Sequence, residues 1–200
     1  MTSLSSHRPL SSSKASYGTI LQSPSELPPR VTMQSSALCV MTDFRKVQVA
    51  TITAEKPLAE ATETMIARGV RLLLVVDNSD FVIGLITARD TQGERPIQFV
   101  HERGGRFADL TVRDLMAPID DIDLLDLQRV ARAEVGDIVA TLKHWGRQHA
   151  LVADVDGQTG ATQIRGMFSA TQIGRQLGLS VQTFDVARTF AEIQSVLTHG

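Results

Sequence analysis

The residues of this 200-residue chain best suited to chemistry are Gly84-Leu85-Ile86-Thr87-Ala88-Arg89-Asp90. They read as a strand running into a helix, with a glycine that lets another group approach the backbone closely. A hydroxyl and a carboxylate follow, three residues apart, at the helix start. A helix start offers free N–H groups and a favourable dipole to an anion such as phosphate. Asp90 brings a charged acceptor, whose hydrogen bonds are stronger than neutral ones. Arg68, Arg71 and Arg89 lie near enough in the pattern to supply positive charge. Thr-x-x-Asp is also a helix-capping spacing. Capping prefers Glu or Gln in the last place, so Ser169-Ala170-Thr171-Gln172 reads as the cap and Asp90 as the binding residue.

The elements that must hold these residues can be read around them. Leu72–Val76 and Phe81–Ile86 are short β-branched runs joined by the turn Asp77-Asn78-Ser79-Asp80, whose residues bond their own backbone. Continuous apolar runs imply strands covered on both faces. Upstream, Val47–Thr53 alternates as a strand. Pro57 opens a helix carrying Leu58, Ala61, Met65 and Ile66 on one face, and Gly69 stops it. A helix from Ala88 should break near Gly93 and Pro96, and a second piece should end at Gly104-Gly105.

The pattern then begins again. Val112–Ala117 echoes Cys39–Thr42, with Met116 matching Met41. Leu124–Val130 reads as a strand, and Val135, Ile138, Val139 and Leu142 form a helical face that ends at Gly146. Gln148–Asp154 repeats Arg71–Asp77 at an offset of 77, and Ile164–Gln172 repeats Val82–Asp90 once five extra turn residues are allowed. The unit is strand–helix–strand–strand–helix, used twice.

These residues resemble a tandem pair of CBS domains, a Bateman module, over roughly residues 35 to 179. Met41-Thr42, Thr51-Ile52 before Leu58 and Ala61, the run ending Val75-Val76-Asp77, and Gly84–Asp90 carry the resemblance. It implies an α/β fold in which two CBS repeats pack sheet to sheet about a pseudo-twofold axis. It implies clefts between the repeats that take adenine nucleotides or S-adenosylmethionine, and a homodimer. Carried over residue by residue, Thr87 and Asp90 match the ribose- and phosphate-binding pair. Gly84, Ile86, Val70, Arg71, Leu72, Leu73 and Arg89 complete this first site, with Val70, Leu72, Leu73 and Ile86 sandwiching the base. A second, weaker site falls on His149, Ala150, Gly166, Ser169 and Gln172, where Gln172 stands in place of the aspartate. In both repeats leucine (Leu74, Leu151) replaces the family's usual proline.

The expected organisation is a Ser/Pro-rich disordered tail over 1–34 and a first repeat over 35–109 with a helical insertion at 93–109. A second repeat follows over 110–180, and a C-terminal helix over 181–200. The expected function is regulatory: a module that senses AMP, ADP, ATP or S-adenosylmethionine and signals through a dimer, with no required cofactor and no catalysis. The alternative is a structural dimerisation module without ligand, favoured if Leu73 turns into the first cleft. The insertion is a candidate partner-binding element for a protein target.

Bulk properties exclude other classes. A net charge of −2 argues against nucleic-acid binding through a basic surface. Nowhere do eighteen apolar residues run together, so no membrane span is expected. One cysteine, Cys39, rules out an internal disulfide framework, suits a reducing compartment and a cytoplasmic location, and reads as a small buried hydrophobe. His144 and His149 straddle a helix-ending glycine and do not make a metal site. Asp120, Asp121, Asp123 and Asp126 lack the spacing of a calcium loop. His101-Glu102-Arg103 reads as a solvated helix end, and Trp145 as core or interface. No nucleophile–base pair or Walker loop is present.

Overall fold

The computed structural model describes residues 31–178. The expected terminal helix and all but the last residues of the expected N-terminal tail lie outside them. In chain order the first half has β1 (Thr42–Asp43), β2 (Thr51–Thr53), α1 (Leu58–Arg68), β3 (Leu72–Val76), β4 (Val82–Thr87), α2 (Ala88–Gln92) and α3 (Glu94–Arg103). The second half repeats the plan with α4 (Val112–Leu115), β5 (Ala117–Pro118), β6 (Leu124–Asp126), α5 (Leu127–Val130), α6 (Val135–Trp145), β7 (His149–Val155), β8 (Thr162–Ser169) and α7 (Ala170–Gln176).

Two four-stranded sheets result, in the orders β2-β3-β4-β5 and β1-β8-β7-β6. Each repeat supplies three strands of its own sheet and lends its leading strand to the other. Thr42 pairs with Met167 and Asp43 with Gly166, while Ala117 pairs with Leu85 and Pro118 with Gly84. The two glycines expected to admit a close neighbour therefore admit these lent strands. A Cβ on Gly84 would stand 2.4 Å from the Ala117 carbonyl oxygen, and one on Gly166 would stand 2.6 Å from that of Thr42. Met116 and Met41 cover the same two glycines from the side. Both hairpins also bulge at the equivalent place, skipping Ile83 in one and Arg165 in the other.

The apolar run of β3 is buried along its whole length because the sheet is covered on both faces. Leu73 and Val75 join Ile52, Leu58, Ala61, Met65 and Ile86 in a core beneath the helices. Leu72 and Leu74 point the other way and meet Leu151 between the sheets. The second helix-side core gathers Val139, Leu142, Val152, Phe168 and Ile173. Truncating one such leucine to alanine costs about 2–5 kcal/mol.

α1 and α6 end as expected, on Gly69 and Gly146, both left-handed. The break in the helix after Ala88 is also where the sequence placed it, at Gly93. Four expectations differ. The strand read over 47–53 is regular only at Thr51–Thr53. Leu124–Val130 is a three-residue strand that turns into α5, because Asp126 caps the backbone N–H of Arg129. Residues 31–34, counted with the tail, are part of the fold: Val31 and Met33 pack on the second core, and the Met33 carbonyl accepts from the Gly136 amide. Cys39 is exposed, since the short 3-10 turn Ala37–Val40 turns Ala37 and Val40 inward instead.

Candidate functional site

β4 and β8 deliver the two signature segments to the ends of the inter-sheet interface, and a cavity opens at each end. The first, of about 300 Å³, holds Thr87 and Asp90. Arg71, Arg89, Arg95 and Arg147 supply its positive charge, and Asp121 and Asp123 join Asp90 as its acids. Leu85, Ala88, Ala117, Ile122, Ala150 and Leu151 give it an apolar wall. The second, of about 450 Å³, holds Ser169, Thr171 and Gln172 against Val70, Arg71, Leu72 and Arg175.

The sequence grouping of site residues is therefore rearranged. Thr87, Asp90 and Arg89 share the first cavity with Ala150, expected in the second site, and with His149, which also lines the second cavity beside Ser169 and Gln172 as expected. Val70 and Leu72, placed in the first site, line the second cavity with Ser169 and Gln172. For Leu72 the reason is the sheet interface, since the side chains of β3 and β7 that leave the helix-side cores meet the opposite repeat, whereas Ala150 belongs to the second helix-side core and lines the cavity from there. Arg71 and His149 line both cavities and form the wall between them. Leu73, Ile86, Gly84 and Gly166 line neither. Leu73 and Ile86 are fully buried beneath the helices, and the glycines lie under the lent strands. Leu73 thus leaves the first cleft open.

The capping roles are also reversed. Asp90 Oδ2 accepts from the Thr87 backbone N–H at 2.9 Å and from Thr87 Oγ1 at 2.6 Å, closing a capping box at α2. Ser169 makes no side-chain cap, and Gln172 Oε1 accepts from Thr42 Oγ1 at 3.3 Å. The shorter aspartate reaches the N-cap amide directly, as Asp114 does at Thr111 and Asp137 at Glu134. The capping box thus engages the Thr87 and Asp90 amides, and the Ala88 amide donates to the Arg71 carbonyl at 3.0 Å, so most of the N–H groups expected to seat a phosphate are already bonded. Asp90 Oδ1 remains on the cavity side, where Arg95 from α3 donates to it.

Arg147 is held by Asp123 at 3.7 Å and donates to the Asp121 carbonyl at 3.2 Å, which fixes its guanidinium at the cavity edge. Burial, and then the neighbouring Arg71 charge, push the His149 imidazole down to about 4, against a smaller opposing pull from Asp90. His149 is therefore neutral at physiological pH. Burial, with Arg175 nearby, also lowers Arg71 from its ordinary value. Sequence reasoning missed Arg95 and Arg147. Arg147 follows a helix-ending glycine just as Val70 does, a repeat equivalence that could have found it. Among the described residues, no cluster of His, Cys, Asp or Glu could hold a metal ion, and no helix is long and apolar enough to cross a membrane.

Residues 38–91 match the family model of the CBS domain. No curated protein matches the sequence. Among solved structures, the chain is similar to an uncharacterized conserved protein from Pyrococcus horikoshii, with 18% identity over 76% of this chain and 99% of that one, at a TM-score of 0.53. It is also similar to a CBS-domain containing protein from Agrobacterium tumefaciens, with 15% identity over 68% and 93% of the two chains, at a TM-score of 0.50. The CBS domain of a bacterial CNNM/CorC family Mg2+ transporter aligns at 15% identity over 76% and 79%, again at 0.50. Residues 38–91 thus match the CBS domain, and the two repeats together share the fold of these CBS-domain structures.

Proposed function

We propose that the first cavity binds an adenine nucleotide and that the protein acts as a regulatory module that reads its occupancy. The observation that carries this reading is the open cleft between the repeats, which gathers Asp90, Thr87, Arg89, Arg95 and Arg147 beside an apolar wall. Each part of a nucleotide has a counterpart. Asp90 Oδ1 accepts from the vicinal hydroxyls of a ribose, the guanidinium groups take the phosphates, and Ile122, Ala150 and Leu85 flank the base. Neutral His149 offers a hydrogen bond without adding a charge at the base end. The alternative, a structural module whose clefts are filled by its own side chains, loses its main support because Leu73 turns away from the cleft. Signalling through a homodimer belongs to the same proposal. Ile66 on α1 and Ile97 on α3 are 73% and 67% exposed and are side chains that such an interface would cover.

Thermal unfolding against AMP, ADP, ATP and S-adenosylmethionine tests it, because a ligand that binds only the folded state raises the midpoint by mass action. A saturating rise with one of them, lost in Asp90→Asn, is the expected result. No rise with any of the four removes the nucleotide reading. Asn is preferred to Ala at this position because its amide oxygen can still accept from the Thr87 amide. Losing the cap costs about 1 kcal/mol on its own.

A further inference from the structure

The two cavities are related by the repeat, yet their charges are not. Three carboxylates line the first; among the described residues, none lines the second. Its charged side chains are Arg71 and Arg175, and Phe44, Val47, Val49 and Val70 make an apolar floor beside them. The one group that could bind a ribose diol as an acid would is Gln172, which is neutral and whose amide oxygen already accepts from Thr42. Beside it, Thr171 is 2% exposed, and its Oγ1 has no hydrogen-bond partner among the described residues. A buried hydroxyl without a partner costs about 1–3 kcal/mol, so the fold tolerates here a polar group that none of the described residues satisfies.

We propose that the second cavity is a site for an organic anion without ribose, a carboxylate or phosphate head on an apolar body. The head meets Arg175 and Arg71 and gives Thr171 Oγ1 the acceptor it lacks, and the body lies on Phe44, Val47 and Val70. This site is separate from the first and does not depend on a nucleotide binding there.

The test is calorimetric titration of the whole protein with benzoate, phenyl phosphate and, as the neutral control, benzyl alcohol. Saturable binding of at least one anion at millimolar concentration, without binding of the alcohol, is expected. Arg175→Gln should weaken it about tenfold or more, and Arg175→Lys should restore part of it. Thr171→Val supplies a signature that a purely structural threonine would not show. It should raise the unfolding midpoint of the free protein, by removing the unpaired hydroxyl, while weakening the anion. Asp90→Asn should leave the anion unaffected. Failure of both anions to bind, or equal binding of benzyl alcohol, overturns the proposal. So does anion binding that survives Arg175→Gln but is lost in Asp90→Asn.

Discussion

Arg95, at the start of α3, forms an ion pair with Asp90 across the mouth of the first cavity. The aspartate thus has two tasks. One oxygen caps α2, and the other holds α3 through Arg95. α3 carries exposed Ile97 and a cation–π contact in which Arg103 lies 4.9 Å from the Phe99 ring centre. The ion pair thereby ties the cavity to a surface helix with an apolar side chain on display.

This relationship separates base and ribose binding from phosphate binding. In Arg95→Gln the carboxylate is released from its partner, while one phosphate-facing charge is lost. Adenosine should bind up to about fivefold more tightly than to the native protein, the scale of an exposed ion pair. The preference for AMP over adenosine should fall. Titration of both ligands against both proteins checks this; an unchanged preference would show that Arg95 faces neither group.

The lent strands make a second prediction. Gly84→Ala and Gly166→Ala place a methyl group against a backbone carbonyl at 2.4 and 2.6 Å, so one strand of each sheet must move. Each should cost about 1–3 kcal/mol or more. Gly157→Ala, which meets nothing within 4 Å and has no left-handed backbone, should change stability by no more than about 0.5 kcal/mol. Urea unfolding of the three variants measures the contrast, and equal effects would contradict the account of the interlocked sheets.

His149 makes a prediction about pH. Its folded-state value is depressed below the unfolded one, to about 4. The unfolded state therefore binds the proton first, and stability should fall as pH drops from the ordinary histidine value of about 6.5 towards 4. Ring proton signals of His149 should titrate near 4, and His149→Gln should flatten the stability profile across that window. A His149 that titrates near its ordinary value would contradict its burial in the wall between the cavities.

Asp43 acts in a lower window. Its bidentate bond with Arg165, one branch at 3.0 Å, ties the lent strand β1 to β8, and this bond chiefly holds the Asp43 carboxyl below its ordinary value. The stabilisation is present above the unfolded carboxylate value and is lost as acid protonates the folded form. Asp43→Asn should differ from the native protein at neutral pH, and the difference should vanish in strong acid. Unfolding midpoints along a pH series report it.

Much of this architecture is legible in the sequence because it depends on local rules. Gly69 and Gly146 mark helix ends, Gly93 marks the break between α2 and α3, and the 77-residue offset pairs β3 with β7. What was not legible depends on how two sheets face each other. Period-2 alternation says that Leu72 and Leu73 take opposite faces, but not that the Leu72 face crosses to the other repeat and lines its cavity. For the same reason the sequence alone does not place Val70 beside Ser169 and Gln172, nor show that His149 lines both cavities. Capping preference also misled at Asp90 and Gln172, since propensity ranks residue types but the Thr42 hydroxyl decides where Gln172 points.

The most direct measurement is a map of backbone amide shifts on titrating AMP into the isotope-labelled protein. The account predicts saturable changes concentrated at Thr87–Asp90 and, from the other repeat, at 146–150, with Gly84 and Leu73 little affected. An absence of saturable change at either segment, or changes confined to the second cavity around Ser169 and Arg175, would contradict it.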